Sequence, residues 1–95
     1  MAEESNLQTK ILRDLDSRGK HCVAFKIEKS SVNGTFDVFF TTKKTGPILL
    51  ETKARKGRVS ALQNEMHKNL SECGCKSFFC YTWPQWVSLK NMLGI

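Results

Sequence analysis

The chain has 95 residues, which is enough for one domain with one modest hydrophobic core. Its 15 Lys and Arg residues outnumber the 9 Asp and Glu residues, and the net charge of +6 favours a polyanionic partner. The N-terminus is polar and acidic, unlike a secretory signal, and no apolar stretch approaches a membrane span, so we expect a cytoplasmic protein without a membrane partner.

The first half of the chain predicts one helix followed by three strands. Residues 4–18 carry apolar side chains at helical spacing, and Gly19 is placed to end that helix. Residues 21–29 alternate like a half-buried strand, and residues 30–34 have the composition of a turn. Two further strands are predicted at 36–42 and 48–54, joined by a hairpin tip at 43–46.

The second half predicts a helix, a strand and a last helix. The helix runs from Ser60 to about Cys73 and ends at Gly74, the strand covers 76–82, and Pro84 suits the first turn of the last helix. The order αβββαβ plus a C-terminal helix predicts an α/β fold with a mixed four-stranded sheet, in which a helix crosses over between parallel strands. Trp83 and Trp86 are predicted to pack rather than to stack on bases.

The cysteines predict reduced thiols rather than a disulfide framework or a zinc site. There are four, at positions 22, 73, 75 and 80, in a chain without a secretory signal. The pair Cys73-Gly-Cys75 lacks the spacing of a zinc-binding C-x₂-C. We expect Cys75 and Cys80 to behave as small buried hydrophobic side chains.

Two acids and a lysine carry the functional prediction. Asp37 stands at the start of one predicted strand, and Glu51 and Lys53 stand at the end of the next. Because side chains alternate along a strand, Glu51 and Lys53 point to one face and Thr52 to the other. If the strands are neighbours, the two carboxylates and the ammonium meet at one edge of the sheet, an arrangement suited to holding Mg²⁺ beside a phosphate and a water. The plain alternatives are a turn cap for Asp37 and a simple ion pair between Glu51 and Lys53.

Polar residues beyond this pair have two interpretations each. Gln63 fits the site, but Ser60-Ala61-Leu62-Gln63 is also a capping box. His67 is expected to be a partly exposed helix residue rather than a general base. The predicted phosphate contacts, for which a solvated loop is the alternative, are Arg55, Lys56 and Arg58, with Lys43 and Lys44 on the hairpin tip as further candidates.

The ordered set resembles the PD-(D/E)XK nuclease superfamily and, more narrowly, the VRR-NUC (virus-type replication-repair nuclease) family, over roughly residues 3–82. The matching pieces are Glu4 (or Glu3) in the first helix, Gly34-Thr35-Phe36-Asp37, Glu51-Thr52-Lys53 and Arg58-Val59-Ser60-Ala61-Leu62-Gln63. Phe36 is a departure, because the family often has proline before the metal-binding Asp.

The resemblance implies a PD-(D/E)XK restriction-endonuclease-like core in a single nuclease domain, 1–95. It implies Mg²⁺, replaceable by Mn²⁺, held by Asp37, Glu51 and the backbone carbonyl of Thr52, with Lys53 beside the nucleophilic water and Glu4 and Gln63 as further catalytic residues. The expected function is a structure-specific DNA endonuclease, foremost a homodimeric Holliday (four-way) junction resolvase. A flap-type or nonspecific nuclease and a catalytically silent DNA-binding module are the alternatives, and the apolar last helix is the candidate dimer surface.

Overall fold

The computed structural model describes residues 2–28, 36–54 and 57–95, with side chains from residue 6 onward. A helix is followed by three strands, a helix, a strand and a last helix, as predicted. The elements are α1 (Ala2–Asp16), a short 3₁₀ helix (Gly19–His21), β1 (Cys22–Lys26), β2 (Val38–Thr42), β3 (Gly46–Thr52), α2 (Ala61–Glu72), β4 (Lys76–Cys80) and α3 (Trp83–Leu93).

The four strands form one mixed sheet in the order β1-β2-β3-β4. β1 pairs with β2 and β2 with β3 in antiparallel fashion, and β3 pairs with β4 in parallel across the α2 connection. These findings confirm the predicted α/β class and the predicted parallel crossover.

The strand predicted over 21–29 is shorter than expected. His21 belongs to the 3₁₀ helix and β1 ends at Lys26, although the Ile27 amide still donates to the Asp37 carbonyl at 2.7 Å. The predicted hairpin is confirmed, but its tip is 43–45 rather than 43–46, because Gly46 pairs with Thr42 as the first residue of β3. The Thr42 and Thr45 hydroxyls are 2.9 Å apart, and Gly46 takes a positive φ of 70° that few other residues adopt. The predicted turn at 30–34 lies outside the described residues.

One face of the sheet, here called the core face, packs against α1 and α3. Its fully buried strand residues are Val38, Phe40, Ile48 and Leu50. Ile11 and Leu15 reach them from α1. Burying this apolar surface stabilises the folded state by roughly 25 cal/mol for each Å² removed from water.

Trp86 confirms the prediction that it packs. It is fully buried, meets the Phe40 ring edge-on at 5.8 Å, and donates its indole N–H to Asp14 Oδ2 at 2.8 Å. Asp14 also binds Lys90 Nζ at 2.7 Å, so it joins α1 to α3. Burial tends to raise the pKa of Asp14, but the hydrogen bonds from Lys90 and Trp86 outweigh it and lower that pKa overall.

The opposite face, here called the α2 face, carries Phe39, Leu49, Glu51 and Phe79, which the strand register places side by side. α2 lies over its β3–β4 half and has no buried residue of its own. The β1–β2 half carries Val23 and Phe25, both more than half exposed.

Two further sequence predictions concern the cysteines and membrane-spanning helices. The four cysteines are free, and burial raises the pKa of the Cys80 thiol to about 11, as suits a small buried side chain, whereas Cys75 is only partly buried. In the described part of the chain, no helix has both the length and the apolar character needed to cross a membrane.

Candidate functional site

The site lies where β2 begins and β3 ends. Because Val38 pairs with Leu50, the residue before β2, Asp37, comes beside Glu51 and Thr52. Asp37 Oδ1 accepts the Thr52 amide at 3.2 Å, and Oδ2 accepts the Thr52 hydroxyl at 2.9 Å and Gln8 Nε2 at 3.0 Å. Asp37 therefore ties α1, β2 and β3 together at the edge of the sheet.

Glu51 is the most buried acid of the site, with 6% of its surface exposed. Its Oε2 accepts Gln63 Nε2 at 2.8 Å and lies 3.4 Å from Lys53 Nζ. Its Oε1 is buried and has no hydrogen-bond partner among the described residues. Burial, followed by the negative charge of Asp37, raises the pKa of Glu51, and Gln63 and Lys53 offset only part of that rise.

Lys53 follows β3 directly and is held in line with the sheet. Its backbone amide donates to the Cys80 carbonyl at 2.9 Å, which extends the parallel pairing one residue past Thr52. Its side chain is 15% exposed and lies on the same face as Glu51, as the alternation predicted.

Gln63 serves the cap and the site at the same time. The Gln63 amide donates to Ser60 Oγ at 3.1 Å, and Gln63 Oε1 accepts the Ser60 amide at 3.4 Å, which completes the capping box. The other end of the same side-chain amide, Nε2, donates to Glu51. The two interpretations of Gln63 are therefore compatible, because a primary amide has an acceptor and a donor on separate atoms.

His67, one turn after Gln63, is partly buried as expected and has a second anchoring contact. Its Nδ1 lies 2.5 Å from the Ser77 hydroxyl, and its ring lies 5.6 Å from that of Phe79. Ser77 is 4% exposed. α2 has no fully buried residue, although Met66 and Leu70 are half-buried, and these contacts together with the Gln63–Glu51 bond help to hold it against the sheet.

The basic candidates among the described residues, Arg58, Lys43 and Lys44, do not lie together. Arg58 is exposed two residues before the Ser60 cap, on the segment that leads into α2. Lys43 and Lys44 follow the end of β2 that lies away from the site. Lys43 is six residues after Asp37, which in extended chain corresponds to a separation of roughly 20 Å. Arg55 and Lys56, and the side chains of Glu3 and Glu4, lie outside the described residues.

The residues present fit a Mg²⁺ site with few protein ligands. Two carboxylates, Asp37 and Glu51, meet at the sheet edge, and in the described part of the chain no group of three or more His, Cys, Asp and Glu side chains comes together to hold a metal. Mg²⁺ accepts one or two carboxylates and retains several waters, so two are sufficient. The unpartnered Glu51 Oε1 is an oxygen suited to such an ion.

One residue of the site, Gln8, was not predicted from the sequence. Gln8 reaches Asp37 across 29 positions of sequence. Its only local signal is a polar residue next to Leu7, at the border of the apolar stripe of α1. That position is equally suited to an exposed side chain, so the contact depends on how α1 is placed on the sheet.

Comparison with known proteins adds no family to this picture. No protein-family model, no curated protein and no solved structure matches the chain. The structure itself is a small α/β fold built on a mixed four-stranded sheet.

Proposed function

We propose that the chain is a Mg²⁺-dependent DNA endonuclease of the PD-(D/E)XK type, within it of the VRR-NUC kind, that cuts branched DNA. The order of elements and the meeting of Asp37, Glu51 and Lys53 at one sheet edge support this assignment.

The observation that carries the proposal is the environment of Glu51. A buried carboxylate is costly unless each oxygen has a partner, and among the described residues only Oε2 has one. A second carboxylate, Asp37, adds repulsion that raises the pKa of Glu51 further. A divalent cation held by the two acids would remove both penalties, because it would neutralise their charge and give Glu51 Oε1 a partner.

Asp37, Glu51 and the backbone carbonyl of Thr52 would hold the ion, with Mn²⁺ able to replace Mg²⁺. When bound, Mg²⁺ supplies charge neutralisation on the phosphate and a bound water of lowered pKa. Gln63 keeps Glu51 oriented through its 2.8 Å hydrogen bond. Lys53, which lies 3.4 Å from Glu51, brings a positive charge to the place where negative charge develops on the phosphate. Glu4 remains a proposed further ligand or water-binding residue.

The DNA partner is inferred from charge. A net charge of +6 attracts a polyanion, and exposed Arg58 leads into the helix that carries Gln63. Two symmetric cuts require two sites, so resolution of a four-way junction calls for a homodimer. We infer a cytoplasmic location, which accords with four free thiols.

The proposal is tested by cleavage of end-labelled four-way junction, flap and linear duplex DNA in Mg²⁺ and in EDTA. Wild type is expected to cut only with metal, and Glu51→Gln to be inactive. Glu65→Gln removes a charge from an exposed position on α2 and is expected to cut like wild type. Cleavage by Glu51→Gln at the wild-type rate would overturn the assignment of the site.

The main alternative is a silent DNA-binding module, which would bind these DNAs with strong salt dependence and cut none.

Sizing with light scattering tests the dimer: about 21.6 kDa, twice the 10.8 kDa chain, is expected. A monomer at concentrations where junctions are cut symmetrically would remove the homodimer. On α3, the proposed dimer surface, Met92 is 66% exposed and Trp83 is 37% exposed.

A further inference from the structure

Two apolar side chains on β1 project into solvent. Val23 is 55% exposed and Phe25 is 51% exposed. Cys22, which precedes Val23, and Ala24, which lies between the two, pack against the core. The Phe25 ring is supported from one side by Phe39, with ring centres 5.0 Å apart and planes inclined at 32°. An aromatic ring held in this way by a strand neighbour presents its free surface in a fixed orientation.

These rings share a face with the candidate site. Phe25 pairs with Phe39, Phe39 pairs with Leu49, and Glu51 is two residues further along β3, so all four side chains lie on the α2 face. With strands about 4.8 Å apart and a rise of about 3.4 Å per residue, the Cα atoms of Phe25 and Glu51 are roughly 12 Å apart. A single strand a few nucleotides long can span this distance.

On β1 and β2, the strand residues of the α2 face carry no charge. The strand residues of the α2 face on β1 and β2 are Val23, Phe25, Phe39 and Thr41. All are uncharged, so a phosphate chain that passes over them towards Lys53 meets no acid on those two strands. The overall charge of +6 attracts the same chain.

The exposed patch is too small for a stable protein interface. A whole Phe buries about 150–250 Å², and two half-exposed side chains provide far less than the roughly 800 Å² that each partner contributes to a standard interface. One ring is sufficient for a nucleobase, since every base has a stacking face. Bases within a duplex are already stacked on both sides, so the ring selects unpaired nucleotides.

We propose that Phe25, supported by Phe39, is a stacking platform for an unpaired nucleobase a few nucleotides from the scissile phosphate. The position relative to a scissile phosphate rests on the proposed nuclease function, whereas stacking on single-stranded DNA does not. The platform directs the protein towards branched DNA with a single-stranded segment beside the cut.

The test is fluorescence anisotropy in EDTA with a labelled 12-nucleotide oligo-dT and a labelled 20-base-pair duplex. Phe25→Ala and Phe25→Leu are expected to weaken binding of oligo-dT about tenfold, within the range of base–aromatic stacking, and to change duplex binding less than twofold. Phe25→Trp keeps a ring and is expected to bind oligo-dT like wild type. Leu62→Ala, at an equally exposed apolar position (52%) on α2, is expected to leave both affinities unchanged.

Three results would overturn the platform. Phe25→Leu binding like wild type would show that no ring is needed, and equal losses for oligo-dT and duplex would show general damage. Sedimentation in which wild type is a dimer and Phe25→Ala a monomer would make this face a contact between two copies. Failure of the nuclease function looks different: wild type would cut no DNA in Mg²⁺ or Mn²⁺, while the ring-dependent preference for oligo-dT persists.

Discussion

Replacing Glu51 by Gln is expected to stabilise the protein in the absence of metal. The substitution removes a buried negative charge, which burial and the neighbouring charge of Asp37 disfavour, as the raised pKa of Glu51 indicates. It also removes the attraction between Glu51 and Lys53, but this attraction offsets only part of the rise in that pKa. The variant is therefore expected to gain on the order of 1 kcal/mol in the free energy of unfolding, which corresponds to a Tm about 4–8 °C above that of wild type.

Mg²⁺ is expected to reverse this order. An ion that binds only the folded state stabilises it by about 2.7 kcal/mol at one hundred times its Kd. Wild type should gain this stability, whereas Glu51→Gln, which has lost a proposed ligand, should gain little. The assay is thermal unfolding followed by circular dichroism, in EDTA and in Mg²⁺, with Glu65→Gln as the control for removing an exposed acid.

The pH dependence has a defined sign. Because the folded-state pKa of Glu51 is raised above 4.5, the folded protein binds more protons than the unfolded chain between 4.5 and that raised pKa. Stability contributed by Glu51 is therefore lost as the pH rises through this window in EDTA, and Glu51→Gln should lack that slope. A variant that melts below wild type in EDTA, or that gains as much from Mg²⁺ as wild type, would refute the reasoning about this carboxylate.

Three further predictions concern other residues of the molecule. Asp37→Asn should lower the Tm in EDTA, by about 1–3 kcal/mol in unfolding free energy, because an amide NH₂ replaces an oxygen that accepts hydrogen bonds; an unchanged Tm would argue against this network. Lys53→Ala should keep the fold and the Mg²⁺-induced rise in Tm but lose most of the cleavage rate, and near-normal rates would remove Lys53 from the mechanism. Ser60→Ala should destabilise by about 1 kcal/mol with cleavage retained, whereas Gln63→Ala should reduce both, and equal cleavage losses in the two variants would mean that Gln63 acts only as a cap.

The sequence was sufficient for the order of elements and for the pairing that forms the site. Apolar runs bounded by turn residues marked β2 and β3, and their antiparallel pairing then brought Asp37 beside Glu51 as predicted. The ends of elements were less accessible. Residues 21–29 alternate throughout, but His21 is taken into the 3₁₀ helix that links α1 to the sheet.

Contacts between distant elements could not be read from spacing. Gln8 and Asp37 are 29 positions apart, and their hydrogen bond depends on the angle at which α1 crosses the sheet. The bond between His67 and Ser77 likewise depends on how closely α2 approaches β4. Periodicity identifies the face that a helix buries, but no residue of α2 is fully buried and Leu62 is 52% exposed, so its orientation also depends on polar contacts that the spacing does not predict.

Because α2 has no fully buried residue, the helix is expected to separate from the sheet before the core unfolds on warming. A helix without a fully buried residue, held in part by side-chain hydrogen bonds, can open locally at a lower free energy than the core, which remains closed. Amide protons of α2 are then expected to exchange with solvent sooner than those of β2 and β3. When α2 opens, Glu51 loses its hydrogen bond from Gln63, so warming should abolish any activity of the site several degrees before the sheet melts.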